Sequence, residues 1–537
     1  MADLFAAKHF LIVDDFADMR TALKRILNSL GAIHIDQARN GSEAIAKMQA
    51  RHYDVVLCDY NLGTGKDGQQ ILEEARVRQL LGVDSIFIMI TAENTREMVM
   101  GAVEYAPDSY LSKPFTKEFL QTRLTKLFER KAHLYKVNQA LLAKDPAGAI
   151  RELDTLIADH PSNLSELLKL KSEICIESNR LDEAQSVLEQ VLAIREMPWA
   201  RLGLGKIQFM RKQFTQAAET FSQIIEQERS FVAAYDWLAK TQMAQRQYAE
   251  AEETLKLAAR LSPRNIRRQG LIGDIALTNN HPETAELAYE QAVGLAKYSV
   301  FNHPALFAGL AKSKAAAGKR EEALKVAEQI PKVFPDHPEA ALYQATATVF
   351  VKAKAGDQAG AQAALAQAEQ ELARLNEGAR LSQHALELAK AYAELGQEDK
   401  AAALLRQVIA NNHDDEDILT QIIHLCQESK LNYDAESAIR EVQGDVVRTN
   451  NEGVRLIKQG EFDAAIKLLS HAAEEMPGNK TINLNAAKAL LMYMERRGIT
   501  NDLIAQVHHY INRVQTLAPD DWRLGDVRHR LRKLTQT

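Results

Sequence analysis

The sequence predicts two architectures in one chain: a doubly wound α/β domain with a five-stranded parallel sheet over residues 1–130, and an all-α array of helical repeats over 131–537. Three observations predict this. Up to about residue 130, short apolar runs alternate with segments of helical period, the pattern of parallel strands joined by crossover helices. Beyond that point strand signals stop, and small residues recur at Ala149, Ala184, Ala217, Ala251, Ala285 and Ala323, at intervals of 35, 33, 34, 34 and 38. Finally, 537 residues are too many for one core, which favours several domains or an array.

The first strand is read over 9–14, where Phe10-Leu11-Ile12-Val13 runs into Asp14-Asp15. Met19, Leu23, Ile26, Leu27 and Leu30 then keep helical spacing, and Gly31 stops that helix. A short strand follows at 33–38, and a helix at 42–51 with Ser42 as its expected cap. The third strand, 54–59, ends in Asp59, with a helix at 68–80 after it. The fourth strand, 85–91, ends in Thr91, and 95–105 is helical. A fifth strand at 109–112 carries Tyr110 and leads to Lys113-Pro114, and a last helix spans 116–130 with Thr116 as its cap. In parallel sheets the chemistry sits beyond the carboxyl ends of the strands. Asp14, Asp15, Asp59, Thr91 and Lys113 all fall there. Alone, Asp14-Asp15 would fit a solvated turn, Thr91 a strand end and Lys113 a surface charge. Together they supply a carboxylate nucleophile, further carboxylates for a divalent cation, a hydroxyl and a positive charge, the needs of phosphoryl transfer.

That set, in that order and at those strand ends, resembles the receiver domain of two-component response regulators, a flavodoxin-like fold. The resemblance implies that Asp59 is the phosphoacceptor, loaded by a histidine kinase or phosphotransfer protein. It implies Mg²⁺ on Asp14, Asp15, Asp59 and the Asn61 backbone carbonyl, with Lys113 and Thr91 contacting the phosphoryl group. Thr91 and Tyr110 would form the switch that reports the site to the face of the fourth helix, fifth strand and fifth helix, through which receivers of this type also pair as homodimers. Asn61 and Glu93, each two residues past a landmark, resemble the chemotaxis receiver and imply fast self-dephosphorylation rather than an enzyme acting on other substrates. The loop Asn61-Leu62-Gly63-Thr64-Gly65-Lys66-Asp67-Gly68 departs from the family: it lacks the usual proline and is glycine-rich.

In the array, Phe231 to Pro263 carries Tyr235, Leu238, Ala239, Tyr248, Ala251, Leu255 and Ala258. This resembles the tetratricopeptide (TPR) pattern, whose units stack into a superhelix with a groove for a protein or peptide ligand. About ten helix pairs are expected, divergent near 340–380 and 411–450 where the array is expected to break into blocks. A capping helix is expected at 520–535, with Trp522 at its start and Arg528, Arg530, Arg532 and Lys533 facing solvent. Residues 116–145 contain neither Gly nor Pro, so the junction reads as stiff rather than as a flexible linker.

Composition narrows the function. A net charge of −6 without a basic domain argues against nucleic acid. The absence of a long apolar run argues against a membrane span, and the N-terminus lacks signal-peptide features. Cys58, Cys175 and Cys426 are too scattered for a disulfide framework or a zinc site, which fits the cytoplasm. The expected role is a phosphorelay response regulator whose output is protein binding. A phosphate sink for a shared kinase and a constitutive scaffold are the alternatives.

Overall fold

In a computed structural model of the chain, which describes residues 5–92, 107–159, 163–375, 381–429, 431–518, 521 and 523–535, the N-terminal apolar runs form five parallel strands. These are β1 (His9–Val13), β2 (His34–Ala38), β3 (Val55–Asp59), β4 (Ile86–Thr91) and β5 (Ser109–Ser112). The strand order is β2-β1-β3-β4-β5, with every neighbouring pair parallel. Helices α1 (Ala17–Ser29), α2 (Gly41–Ala50), α3 (Gly68–Val77) and α4 (Lys117–Lys131) are described between and after them. The helix expected at 95–105 lies outside the described residues.

Alternation along the strands sends side chains to two cores. Phe10, Ile12, Leu57 and Ile88 pack with Leu23 and Leu27 of α1 and Leu120 and Leu124 of α4. Leu11, Val13, Val56 and Met89 pack with Ala44 of α2 and Ile71 and Leu72 of α3. Every residue of β3 and β4 is buried, which is why those strands read as unbroken apolar runs. Thr116 caps α4 as expected, accepting from the Phe119 N–H at 3.2 Å. For α2 the cap is Asn40 rather than Ser42: its side chain accepts from the Glu43 N–H at 2.9 Å. The helix starts one residue earlier because Gly41 is packed close to Lys66 and Ile71, where a Cβ has little room.

After α4 the chain turns at 132–134 and enters twenty-two helices among the described residues, from Tyr135–Leu142 to Arg523–Thr535. The six period-marking alanines are all wholly buried. Small side chains at those points let neighbouring helices approach closely. The same role passes to Ala361 and Ala401, also wholly buried, 38 and 40 residues further on. The repeat is written in the backbone too. The turn inside successive helix pairs carries one residue in the left-handed region: Lys144, Asn179, Lys212, Arg246 and Asn280, then Gly318, Gly356, Gly396 and Gly460. The later repeats use glycine, which adopts that conformation without a steric cost.

The chain divides into two compact units, Met1–Asn279 with Leu287–His303, and Asn280–Glu286 with Pro304–Thr537. The division therefore falls near 280–304, not at the weakly periodic stretches 340–380 and 411–450. Those stretches are helical like the rest, with Ala340–Lys354 and Gln358–Arg374 in the first and a 25-residue helix, Ala435–Gln459, in the second. Asp415, in the run Asp414-Asp415-Glu416-Asp417, caps its helix, accepting from the Ile418 N–H at 3.2 Å. The last helix spans Arg523–Thr535, with Trp522 outside the described residues. Of its basic residues only Arg532 and Lys533 are exposed. Arg530 instead pairs with Glu495 at 2.6 Å and Arg528 bonds Gln515, because the helix turns that edge onto its predecessors. Among the described residues, no helix is long and apolar enough to cross a membrane.

Gly205, in the helix Pro198–Met210, faces the wholly buried ring of Phe221 so closely that a Cβ there would overlap the ring edge. Gly205→Ala should therefore cost about 1–3 kcal/mol by overpacking, and Phe221→Ala about 3–5 kcal/mol by opening a cavity. The double variant should lose at least about 1 kcal/mol less than the sum, since the new methyl enters the vacated space. A denaturation cycle on the four proteins checks this, and additive losses would contradict it.

Candidate functional site

Each landmark predicted at a strand end lies at the carboxyl edge of the sheet. Asp14 follows β1 and is wholly buried, and its backbone N–H donates to the Ala38 carbonyl. Its Oδ1 accepts from the Phe16 N–H at 2.8 Å, which fixes the carboxylate. Asp59 closes β3 and is 6% exposed. Lys113, just past β5, is held by its N–H donating to the Thr91 carbonyl at 2.7 Å. Its ammonium reaches back to Asp14 Oδ2 at 3.1 Å and Asp59 Oδ2 at 2.9 Å. Residues 54 and 99 positions apart in sequence are so joined at one nitrogen.

Carboxylate oxygens of Asp14, Asp15 and Asp59 lie within 4.8 Å of one another. Burial pushes the Asp59 carboxyl above its ordinary value, Asp14 adds to the rise, and Lys113 pulls the other way without cancelling it. For Lys113, burial favours the neutral form, but the bonds to Asp59 and Asp14 outweigh it and the ammonium is held above its usual value. Lys113 thus bonds two of the three carboxylates, and Asp15 Oδ1 is buried with no hydrogen-bond partner among the described residues. That orphaned oxygen, beside two fixed carboxylates, fits a hard divalent cation of the Mg²⁺ type, which takes oxygen ligands. Asp14, Asp15 and Asp59 are the side chains that would hold it.

The other expected residues are placed as follows. Thr91 is 6% exposed at the end of β4. Tyr110 packs inward against the α2–α3 core with Tyr60, and its hydroxyl is buried with no partner among the described residues. Burial pushes that phenol up to about 12. Asn61 is exposed at the mouth of the pocket. Glu93 lies outside the described residues.

Sequence reasoning missed three supports. Arg20, on the first turn of α1, donates to the Asp14 and Asp15 carbonyls at 2.6 and 3.0 Å and straps the acidic pair down. The loop after Asp59 is not loose for want of proline. Gly63 and Gly65 stand at φ +68° and +113°, left-handed positions that favour glycine. Lys66 then pairs at 2.5 Å with the buried Glu74. Asp67 and Gln70 close a reciprocal capping box on α3. Ser/Thr/Asp followed three residues later by Glu/Gln is a readable cap signal, and Asp67-Gly68-Gln69-Gln70 carried it.

The raised Asp59 value has a sign for stability. The native state binds that proton more tightly than the unfolded chain, so the contribution is complete at acid pH and is lost as pH rises through the raised value. Asp59→Asn stays neutral throughout. It should stabilise the cation-free protein on the order of 1 kcal/mol at about pH 7, with the gain shrinking towards about pH 4. Thermal unfolding of both proteins across that range is the measurement, and an Asn variant less stable at neutral pH would contradict the account.

Comparison with known proteins agrees with this geometry. The response regulator receiver domain family matches residues 10–125, and tetratricopeptide repeat families match 176–236, 208–275 and 385–413. The chain is 32% identical over 120 residues to the chemotaxis protein CheY of Pseudomonas aeruginosa, covering 22% of this chain and 95% of that protein. It is 36% identical over 120 residues to CheY-3 of Vibrio cholerae, covering 22% and 91%. Among solved structures, the response regulator TrrA of Thermotoga maritima in complex with Mg²⁺-BeF is 31% identical, covering 22% of this chain and 98% of that one, with a TM-score of 0.20. With its acidic pocket, bridging lysine and matched relatives, the chain belongs to the response regulators, as a receiver domain followed by tetratricopeptide repeats.

Proposed function

We propose that the protein is a cytoplasmic phosphorelay response regulator that takes a phosphoryl group on Asp59 and answers by protein binding through its repeats. The observation that carries the reading is the Lys113 ammonium lying on both Asp14 and Asp59, beside the unbonded Asp15 oxygen. Asp59 attacks the phosphorus of a phosphohistidine on a histidine kinase or phosphotransfer protein. The new bond is carboxylate oxygen to phosphorus, the bond broken is phosphorus to nitrogen, and the imidazole leaves. Lys113 stays on the carboxylate oxygens and meets the charge brought by the phosphoryl group. Thr91, buried at the next strand end, offers its hydroxyl to another oxygen. Mg²⁺, held by Asp14, Asp15, Asp59 and the Asn61 carbonyl, supplies charge neutralisation when bound. The phosphoprotein is the signal, and turnover is limited to self-dephosphorylation, with exposed Asn61 bordering the approach of water.

The output half of the reading rests on the repeat architecture, which stacks units into a surface suited to a peptide or helix of another protein. Pairing of two receivers is a further partner mode open to this family. No nucleic-acid contact and no membrane insertion are part of the proposal.

Incubation with acetyl phosphate and Mg²⁺, read on a phosphate-affinity gel, should give one shifted species. That species should be lost in Asp59→Asn and on chelation of the cation. Labelling that persists in Asp59→Asn would overturn the assignment of the phosphoacceptor. Capture of partners with and without beryllofluoride then separates the outputs. A partner held in one state supports regulated binding, a kinase alone points to a phosphate sink, and identical partners in both states point to a constitutive scaffold.

A further inference from the structure

The loop that departs from the family pattern does not end in solvent. Asp67 uses Oδ1 to cap α3, accepting from the Gln70 N–H at 2.8 Å. It gives Oδ2 to Arg264 of the array at 2.9 Å. One helical turn on, Gln70 Nε2 donates to the Leu295 carbonyl at 3.3 Å. A further turn on, Glu73 Oε2 accepts from the Ser299 hydroxyl at 2.7 Å. Positions 67, 70 and 73 share one face of α3, so a single edge of the helix meets the array. A cavity of about 40 Å³ lies within this contact, with Tyr60 among the residues that line it. All of these residues belong to one compact unit of the chain.

This edge is mechanically short of slack on the side of Asp59. Tyr60, the next residue, donates its N–H to the Ile90 carbonyl and accepts the Gly68 N–H, both at 2.8 Å. Gly68 is pressed against the strand end so closely that a Cβ would overlap the Asp59 carbonyl oxygen. Lys66 is tied to Glu74. Between these ties lie residues 61–65, with the Asn61 carbonyl and the buried Leu62 among them. A divalent cation on Asp14, Asp15 and Asp59, with the Asn61 carbonyl as a further ligand, would draw on that segment. Any shift there reaches Asp67, whose carboxylate is shared between the cap and Arg264.

We propose that Asp67, Gln70 and Glu73 with Arg264, Leu295 and Ser299 form an intramolecular clasp that opposes loading of Asp59, so that loading releases the array and an opened clasp favours loading. The coupling is reciprocal by thermodynamic necessity and amounts to the differential fit of the clasp to the two pocket arrangements. It rests on the reading of Asp59 as phosphoacceptor and says how that site is linked to the repeats.

The test uses the full chain and two array-side variants, Arg264→Ala with Ser299→Ala, and the milder Ser299→Ala alone. Neither touches the acidic pocket. Hydrogen exchange over residues 60–75 and 262–300, without added cation, should be faster in the double variant. In the wild type, Mg²⁺ with beryllofluoride should speed exchange over 262–300. The beryllofluoride concentration for half-saturation should fall by roughly 5–10-fold in the double variant, with the single variant intermediate. Equal half-saturation in all three proteins, or slower exchange over 262–300 on loading, would overturn the clasp while leaving Asp59 as phosphoacceptor. A wild type that takes up no beryllofluoride would remove that reading and the coupling with it.

Discussion

One ammonium shared by two buried carboxylates is the constraint around which the receiver is arranged. Asp14 is wholly buried and Asp59 nearly so, and each would be strongly disfavoured as an unpaired charge. Removing Lys113 would leave both carboxylates buried and unpaired, at a cost of about 3–5 kcal/mol. Lys113 therefore cannot leave unless another positive charge replaces it. The sheet supplies the geometry for this. Strand order β2-β1-β3-β4-β5 puts β1, β3 and β4 side by side, and Lys113 reaches across from the end of β5. The buried apolar runs of β3 and β4 that precede Asp59 and Thr91 give Asp59 the dry surroundings that raise its proton affinity.

The array is governed by a different and weaker kind of constraint, repeated many times. A wholly buried alanine and a left-handed turn residue recur at nearly the same interval, and neither contributes much alone. Their effect is geometric: the alanine sets how near two helices come, and the turn sets where the second begins. Where lysine, asparagine or arginine occupies the left-handed position, the repeat carries a modest backbone cost that glycine removes in the later repeats. Close approach is elsewhere enforced by larger neighbours, as where Phe221 fills the space a side chain on Gly205 would need, and Leu469 that of Gly453.

Most of this was legible in the sequence, and what was not shares a cause. The five strands, the helices that are described among them, and the pocket residues Asp14, Asp15, Asp59, Thr91 and Lys113 were readable because burial imposes period and strand ends impose position. The cap of α2 was misassigned to Ser42 because two good capping residues, Asn40 and Ser42, flank one glycine, and only the packing of Gly41 against Lys66 chooses between them. The roles of Lys66 and Arg20 were invisible because nothing in their spacing distinguishes them from surface charges. Arg264 lies 197 residues from Asp67, and no local pattern connects them. The expected break at 340–380 failed for a related reason: Ala361 and Ala401 keep the repeat while their spacing lengthens to 38 and 40, so a search for 34 loses them.

The receiver is joined to the repeats at a second place, and the pair of contacts decides what kind of signal can pass. At the opposite end of the sheet, Lys131 at the close of α4 pairs with Asp108 at 2.5 Å and donates to the Ser85 carbonyl. Val83 packs into the core made by Leu134, Val137 and Ile150. These groups lie at the amino ends of β4 and β5, remote from Asp59. The junction is therefore built into the first repeat rather than hung from it. Burial lowers the Lys131 value even against its Asp108 partner, which marks a seat largely closed to water. A body pinned only at such a seat would have nothing at the reactive end for chemistry to push against. A body held only through α3 would be free to drift. With a dry seat below and polar, exchangeable bonds at Asp67, Gln70 and Glu73 above, the weaker attachment is the one nearer the phosphoacceptor. Local opening follows the weaker contact, so a change at Asp59 is spent on releasing α3 from the array and leaves the seat at Lys131 in place.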